Sequence, residues 1–259
     1  MAFPTVDTQL ERLHVAVDTL LRQAGIAGLD APVPTCPRWT VRGLLAHQGT
    51  VHRWAIASLR GQDFDIPAEK TASQQVSDPL VWLRQGADDL VRTLVEAPDD
   101  VEALVFLKNA PPPRSFWARR QVHETTIHAV DALAAVLGRF PTSDDIDWVD
   151  EQVALDGIDE ILTGFVTRGR RYSAMPAFRV AVTGSDRAWS LAVGEDERVA
   201  TIRETGPAPD TSDLPVVSGS PLALYLALWN RNSTDQPNGV DDPAGVLASW
   251  AELHQVTFG

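Results

Sequence analysis

Two histidines, a glutamate and an aspartate lie within one short segment, ARRQVHETTIHAVDA, residues 118–132. If this segment is a helix, Glu124 and His128 share a face because they are four residues apart, and Asp131 extends that face by one turn. Carboxylate and imidazole groups are ligands of divalent ions such as Zn²⁺. His123 is rotated from His128 by roughly 140° at the helical 100° per residue, so we expect it to face solvent. The segment therefore offers two candidate metal ligands.

A catalytic zinc site usually has three protein ligands, so the third would have to come from another helix. The segment TVRGLLAHQGTVHRWAIASLRG carries two histidines, His47 and His52. His47 lies near the apolar stripe of this predicted helix, together with Leu44 and Trp54. His52 is rotated from His47 by roughly 140°, and we expect it to face outward. His47 is therefore the better candidate for the third ligand.

The same residues have a simpler interpretation. Arg120, Glu124 and His128 follow one another at four-residue steps, and such a series can form an ion-pair ladder on a solvated helix face. A single helical histidine is also more often a surface or hydrogen-bonded residue than a ligand. Spacing alone does not separate the ladder from the metal site.

The single cysteine, Cys36, lies in the segment TCPRWT. One cysteine excludes an intramolecular disulfide and a cysteine-rich zinc site, so imidazole and carboxylate would have to hold any metal. A thiolate just before a predicted helix could act as a nucleophile stabilised by the helix dipole. Pro37 and Trp39 favour a packed turn between helices, and we prefer this structural role for Cys36.

Four long helices are predicted in the first half of the chain, over residues 5–24, 40–61, 79–97 and 115–138. Each combines an apolar stripe with a cap or breaker at its ends. The connections allow antiparallel neighbours, so we expect a four-helix bundle over residues 1–142.

The pattern changes after Pro141. Residues 145–168 predict one more helix, and AFRVAVTG, AWSLAVGE and RVATIRET predict short strands in a meander. SGSPLALYLALWNR and DDPAGVLASWAELHQV predict two closing helices. We therefore expect a smaller α+β domain over residues 145–259.

The overall charge excludes some classes of function. A formal net charge of -13 argues against nucleic acid as a partner, because no basic face is available to displace counterions. The N-terminal segment lacks the pattern of a signal peptide, and no apolar run approaches roughly 18 residues. We expect a cytoplasmic protein without a membrane partner. The sequence has no phosphate-binding glycine loop and no G-x-S-x-G motif, and it carries no signal for an oligomeric state.

The segments CPRWTVRGLLAHQGTVHRW and ARRQVHETTIHAVDA resemble the two motif regions of the mycothiol-dependent maleylpyruvate isomerase family. This family belongs to the DinB-like superfamily of metal-binding four-helix bundles. GSPLALYLALWNR is similar to a helix of the family's second domain, so the resemblance spans nearly the whole chain. The resemblance implies a metal, typically zinc, held by His47, Glu124 and His128.

The same resemblance implies further roles. Asp131 matches the acidic residue after the family's metal histidine, and we expect it to orient the imidazole of His128. An arginine holds the thiol in the family, and Arg84 and Arg120 are the candidates here. RGRRY, residues 168–172, is the one basic cluster suited to a diacid substrate, although the end of a helix explains it more simply.

The implied activity is metal-dependent and uses a low-molecular-weight thiol, mycothiol or a similar compound, as cosubstrate. A small electrophile would be isomerised or would receive the thiol in an S-transferase reaction. The alternative is a metal-binding or ligand-sensing module of the same fold without turnover.

Overall fold

The structure, a computed structural model, describes residues 3–168, 175–204, 213–233 and 238–254. It divides into two compact units, the first formed by Met1–Phe106 with Ala110–Pro141 and the second by Leu107–Asn109 with Thr142–Gly259. The first unit is all-helical and the second combines a sheet with helices, so the predicted fold class is confirmed. In the described part of the chain, no helix combines the length and the apolar character needed to cross a membrane.

The first unit contains the four predicted long helices and one short helix that was not predicted. The long helices are α1 (Val6–Ala27), α2 (Val41–Leu59), α4 (Pro79–Glu96) and α5 (Pro113–Leu137), and the short one is α3 (Ile66–Ser73). Side-chain caps begin three of the long helices, because Thr5, Thr40 and Asp78 each accept a hydrogen bond from a backbone N–H of the first turn. Helix α3 buries only one residue, so it has no apolar stripe that would reveal it in the sequence.

Helix α5 lies at the centre of this unit, with α1 along one side and α2 along another, and α2 also packs against α4. Gly49 allows α2 and α4 to approach closely, since a Cβ at this position would overlap the ring of Trp82. The guanidinium of Arg53 covers the same ring at 3.7 Å from its centroid. This packing fixes α2, the helix that carries His47.

The second unit is built on a five-stranded sheet with the order β3-β2-β1-β4-β5. Its strands are β1 (Phe178–Val182), β2 (Ala188–Val193), β3 (Val199–Glu204), β4 (Val216–Gly219) and β5 (Val240–Asp241). The first three form the predicted antiparallel meander. The parallel pairing of β4 with β1 was not predicted, because β4 is short and its partner is distant in sequence.

The helices of the second unit are α6 (Glu151–Asp159), α7 (Pro221–Leu228) and α8 (Val246–Leu253). Helix α6 begins later than predicted because Asp150 caps it, and it continues as a wider π turn over Glu160–Phe165. Helix α8 begins after Gly245, and the carboxylate of Asp242 accepts hydrogen bonds from the first backbone N–H groups of the helix.

Candidate metal centre

Three of the predicted site residues lie together in the first unit: His47 on α2, and Glu124 and His128 on α5. Their potential ligand atoms all lie within 4.8 Å of one another. Glu124 Oε1 is 3.1 Å from Nε2 of His47 and 3.3 Å from Nε2 of His128. Two imidazole nitrogens thus converge on one carboxylate oxygen. This is the only such group of three potential ligands in the described ranges of the chain.

The donor set fits a divalent ion such as Zn²⁺. Tetrahedral zinc ligands, bound at about 2.0–2.2 Å, lie about 3.3 Å apart, which is close to the two nitrogen–oxygen distances at Glu124. The side chains of His47 and Glu124 remain 10% and 15% exposed, so the cluster is not sealed from solvent. Three ligands with one accessible side are typical of a catalytic zinc site rather than a structural one.

Other buried residues hold the two candidate ligands of α5, Glu124 and His128, by their remaining polar atoms. Asp131 is fully buried, and its Oδ2 lies 2.8 Å from Nδ1 of His128. Arg120 is almost fully buried, and its Nη2 donates to Oε2 of Glu124 at 2.9 Å. Each ligand therefore directs one atom toward the cluster and is fixed by a hydrogen bond at another, as is usual for metal ligands in proteins.

The loop between α1 and α2, residues 28–40, covers the site. The hydroxyl of Thr35 donates to Oδ1 of Asp131 at 2.6 Å, and the thiol of Cys36 donates to Oδ2 at 3.6 Å. The ring centroid of Trp39 is 4.7 Å from that of His47 and 5.7 Å from that of His128. No site role is predicted from the sequence for Thr35 or Trp39. The segment TCPRWT, which lies directly before the helix of His47 and combines a thiol, a hydroxyl and an indole, was the signal that could have indicated such a role.

The surroundings of Cys36 favour its structural interpretation. Reactive thiolates are found beside cations or at helix N-termini with an electropositive environment. Cys36 instead points at the carboxylate of Asp131, which is a hydrogen-bond acceptor and carries negative charge. The thiol therefore acts as a weak donor to a residue of the site.

Hydrogen bonding and burial act differently on the pKa values of the three candidate ligands. Burial opposes ionisation of Glu124, but hydrogen bonds from His128 and His47 and the charge of Arg120 hold the pKa of its carboxyl well below the usual range. Burial likewise opposes the charged form of His128, yet hydrogen bonds to Asp131 and Glu124 outweigh it and raise the pKa of this imidazole. Burial lowers the pKa of His47, against its hydrogen bond to Glu124. In the metal-free cluster, His128 therefore holds a proton more readily than His47 does.

The predictions that His52 and His123 face solvent are wrong, since both are fully buried. The side-chain amide of Gln48 donates to Nε2 of His52 at 2.8 Å and to the hydroxyl of Thr125 at 3.0 Å. Burial, and then the charge of Arg53, lower the pKa of His52 to about 3. Neither helix has a face fully open to water at these positions, because α2 packs against α3, α4 and α5, and α5 packs against α1, α2 and α4.

The structure brings only one of the two candidate arginines to the cluster. Arg120 lies within it, hydrogen-bonded to Glu124. Arg84 lies on the surface of α4, where it pairs with Asp18 of α1 at 2.5 Å, and 38% of its side chain is exposed. Of the RGRRY segment, only Arg168 falls within the described residues, and it belongs to the second unit.

Comparisons with known proteins agree with the two-unit architecture. Residues 10–133 match the family described as "Mycothiol maleylpyruvate isomerase N-terminal domain", and residues 152–252 match "MDMPI C-terminal domain". A crystal structure of the mycothiol-dependent maleylpyruvate isomerase is similar, with a TM-score of 0.61 and 17% identity over 95% of this chain and 97% of that chain. A mutant of that isomerase with a histidine replaced by alanine gives the same values. At this identity the likeness shows the fold. No curated protein matches the sequence.

Proposed function

The chain belongs to the mycothiol maleylpyruvate isomerase family, whose two domains it matches in order, and from this premise we propose that it is a zinc-dependent, thiol-using isomerase. Mycothiol or a similar low-molecular-weight thiol is the cosubstrate, and the substrate is a small electrophile with a cis double bond. The observation that carries the proposal is the convergence of His47, Glu124 and His128, with their ligand atoms within 4.8 Å of one another.

His47, Glu124 and His128 would hold the ion. When bound, a divalent ion stabilises the anionic form of a thiol and so supplies a nucleophile at neutral pH. This property explains why a dedicated base near the thiol is not required. The low pKa of the Glu124 carboxyl keeps this ligand ionised over the physiological pH range.

The surrounding residues position the ligands and limit water. Arg120 holds Oε2 of Glu124, so that Oε1 faces the two imidazoles. Asp131 holds Nδ1 of His128, so that Nε2 faces the same point. The ring of Trp39 lies against both imidazoles and gives that side of the site an apolar wall. Fixed ligands of this kind lower the reorganisation needed during a reaction.

The isomerisation would proceed by conjugate addition. The thiolate sulfur forms a bond to one carbon of the cis double bond, and the π electrons move onto the conjugated carbonyl oxygen. Rotation about the resulting single bond follows. The electrons then return, the carbon–sulfur bond breaks, and the trans product leaves with the thiol regenerated. If the adduct is protonated and released instead, the reaction is an S-transfer and the thiol is consumed.

The proposal is tested with protein purified without a histidine tag. Zinc content is measured by elemental analysis, and turnover is measured by following maleylpyruvate and mycothiol together. We expect about one zinc per chain and cis–trans conversion without loss of thiol, both abolished in His128→Ala. Loss of thiol in step with substrate would indicate the S-transferase. Bound zinc without turnover would favour the non-catalytic module, and absence of zinc would contradict both readings.

A further inference from the structure

The carboxylate of Asp131 is fully buried and joins the metal ligand His128 to the loop before α2. Its Oδ1 accepts a hydrogen bond from Thr35 at 2.6 Å, a contact that spans 96 residues of sequence. Its Oδ2 lies 2.8 Å from Nδ1 of His128 and 3.6 Å from the thiol of Cys36. Oδ1 is thus joined to the loop by a hydroxyl, whereas Oδ2 is joined to His128 and, at a longer distance, to the thiol of the loop.

We propose that Thr35 is a positioning residue of the metal site, which acts through Asp131 to keep the Nδ1–H of His128 engaged and its Nε2 directed at the metal. The inference rests on the proposed function only in that the site must bind a metal. It assigns no direct contact between Thr35 and metal, thiol or substrate.

The chemistry of the three groups gives this chain of hydrogen bonds a direction. A carboxylate only accepts, so the hydroxyl of Thr35 must donate its proton to Asp131. For the same reason the nitrogen of His128 that faces Asp131 must carry a proton. Its other nitrogen is then the one with a lone pair for a metal. The orientation of the carboxylate therefore selects the tautomer of the ligand, and Thr35 fixes that orientation at Oδ1.

The backbone around Thr35 is held tightly enough to serve as a support. The N–H of Cys36 donates to the carbonyl of Val33 at 2.9 Å, and the N–H of Trp39 donates to the carbonyl of Cys36 at 2.8 Å. An isolated bridge joins Pro32 to Thr40 at the base of the loop. With both ends tied to each other, the backbone at Thr35 cannot move away from Asp131 without breaking these turns.

Cys36 contributes less than Thr35. A thiol is a weak hydrogen-bond donor, and the sulfur–oxygen distance of 3.6 Å is long compared with the contact made by the hydroxyl. Oδ2 already has a short contact with His128. We therefore expect that replacing Cys36 with alanine has a smaller effect on the metal site than removing the hydroxyl of Thr35.

The test compares the zinc affinity of Thr35→Val with that of the wild-type protein, using competition against a chromophoric chelator. Outer partners of metal ligands typically contribute about 10- to 100-fold to affinity. Thr35 is one hydrogen bond further from the metal than such a partner. We therefore expect the zinc affinity to fall by the lower of these values, about tenfold. Thr35→Ser, which keeps the hydroxyl, restores wild-type affinity. The ligand-field spectrum of the cobalt-substituted protein shifts in Thr35→Val and not in Thr35→Ser.

Thr50→Val is the matched control. Thr50 is fully buried, whereas Thr35 is half-buried; it lies on the helix of His47, and its hydroxyl donates to the carbonyl of Ala46 at 2.8 Å. Its loss removes a hydroxyl near the site without touching Asp131, so zinc affinity stays at the wild-type value. Equal losses in Thr50→Val and Thr35→Val would reduce the effect to general destabilisation and overturn the proposal.

Wild-type zinc affinity and an unchanged cobalt spectrum in Thr35→Val would also overturn it. If that variant does not fold, NMR of the zinc-loaded wild-type protein decides. A slowly exchanging Thr35 hydroxyl proton and a protonated Nδ1 on His128 support the proposal, and a rapidly exchanging hydroxyl contradicts it. Zinc binding by the wild type with the same affinity in Thr35→Val refutes this inference alone, whereas no zinc binding by the wild type refutes the proposed function.

Discussion

Arg120 and Glu124 form an ion pair one turn apart on α5, between an almost fully buried arginine and a partly exposed glutamate, with Nη2 of the arginine 2.9 Å from Oε2 of the glutamate. The other oxygen of Glu124 faces His47 and His128. The arginine therefore neutralises part of the ligand charge and fixes its rotamer before any metal arrives. Under the proposed function, this pairing makes Arg120 a positioning residue for the metal site.

Replacing Arg120 with methionine should weaken both the fold and the site. Without the arginine, the carboxylate of Glu124 is left largely buried without its countercharge. Breaking a fully buried ion pair costs about 3–5 kcal/mol. Because Glu124 is partly exposed, we expect the free energy of unfolding to fall by about 2–4 kcal/mol. Chemical denaturation of the metal-free protein measures this loss. Arg92→Met is the control, because its pair with Asp89 is exposed and should contribute less than about 1 kcal/mol. Equal losses in the two variants would contradict the role of Arg120.

Zinc binding should depend on pH through His128. The raised pKa of His128 means that the metal-free protein keeps a proton there to a higher pH than an ordinary imidazole does, and a ligand nitrogen must lose it. Affinity should rise with pH by about tenfold per unit below that pKa and then level off. Calorimetry in buffers of different ionisation enthalpy measures the release of about one proton per zinc near pH 6. Binding without proton release at that pH would contradict the assignment.

The stability of the metal-free protein should fall in acid because of His52. Its pKa is about 3 in the folded protein, against 6.5 as the model-compound value, so between these values the unfolded chain binds the extra proton. The contribution of His52 to the free energy of unfolding is complete above pH 6.5. It is lost as the pH falls toward 3, at about 1.4 kcal/mol per pH unit. In denaturation experiments, His52→Gln should reduce the slope of unfolding free energy against pH by the amount that corresponds to one proton. His14→Gln, at an exposed position of α1, is the control, and an unchanged slope in His52→Gln would refute the prediction.

Two glycine substitutions test the packing that holds the ligand helix. Gly49→Ala places a methyl group in the ring of Trp82, and overpacking of this kind costs about 1–3 kcal/mol. Gly25→Ala in α1 meets no atom within 4 Å and should stabilise the protein by about 0.5–1 kcal/mol, through reduced backbone entropy of the unfolded chain. The unfolding temperatures of both variants are measured against that of the wild type. Shifts of the same sign and similar size would contradict the close approach of α2 and α4.

The sequence was informative where the signal is local. The four-residue step between Glu124 and His128 reports their shared face directly, and the predicted caps Thr40 and Asp78 mark two helix starts that the structure also has. Short segments rich in β-branched residues, separated by turn residues, indicated β1, β2 and β3. In each case the residues that form the element are neighbours in the chain, so their pattern carries the information.

Other features depend on contacts that no local pattern encodes. The rotation per residue of a helix shows that His52 and His123 do not share a face with the candidate ligands. It does not show whether another helix packs against the face on which they lie. Every residue of α5 from Phe116 to Ala134 is buried apart from Glu124, which is partly exposed. The contact of Thr35 with Asp131 joins a loop to a helix 96 residues later. Only the tertiary structure reveals such pairs.

The central claim is that His47, Glu124 and His128 hold a zinc ion with a position open to thiol. X-ray absorption at the zinc edge, on tag-free protein with and without mycothiol, tests it most directly. The account predicts nitrogen and oxygen ligands at about 2.0–2.2 Å without thiol, and one added sulfur at about 2.3 Å when mycothiol is present. A protein that retains no zinc, or a zinc environment that gains no sulfur on addition of the thiol, would contradict it.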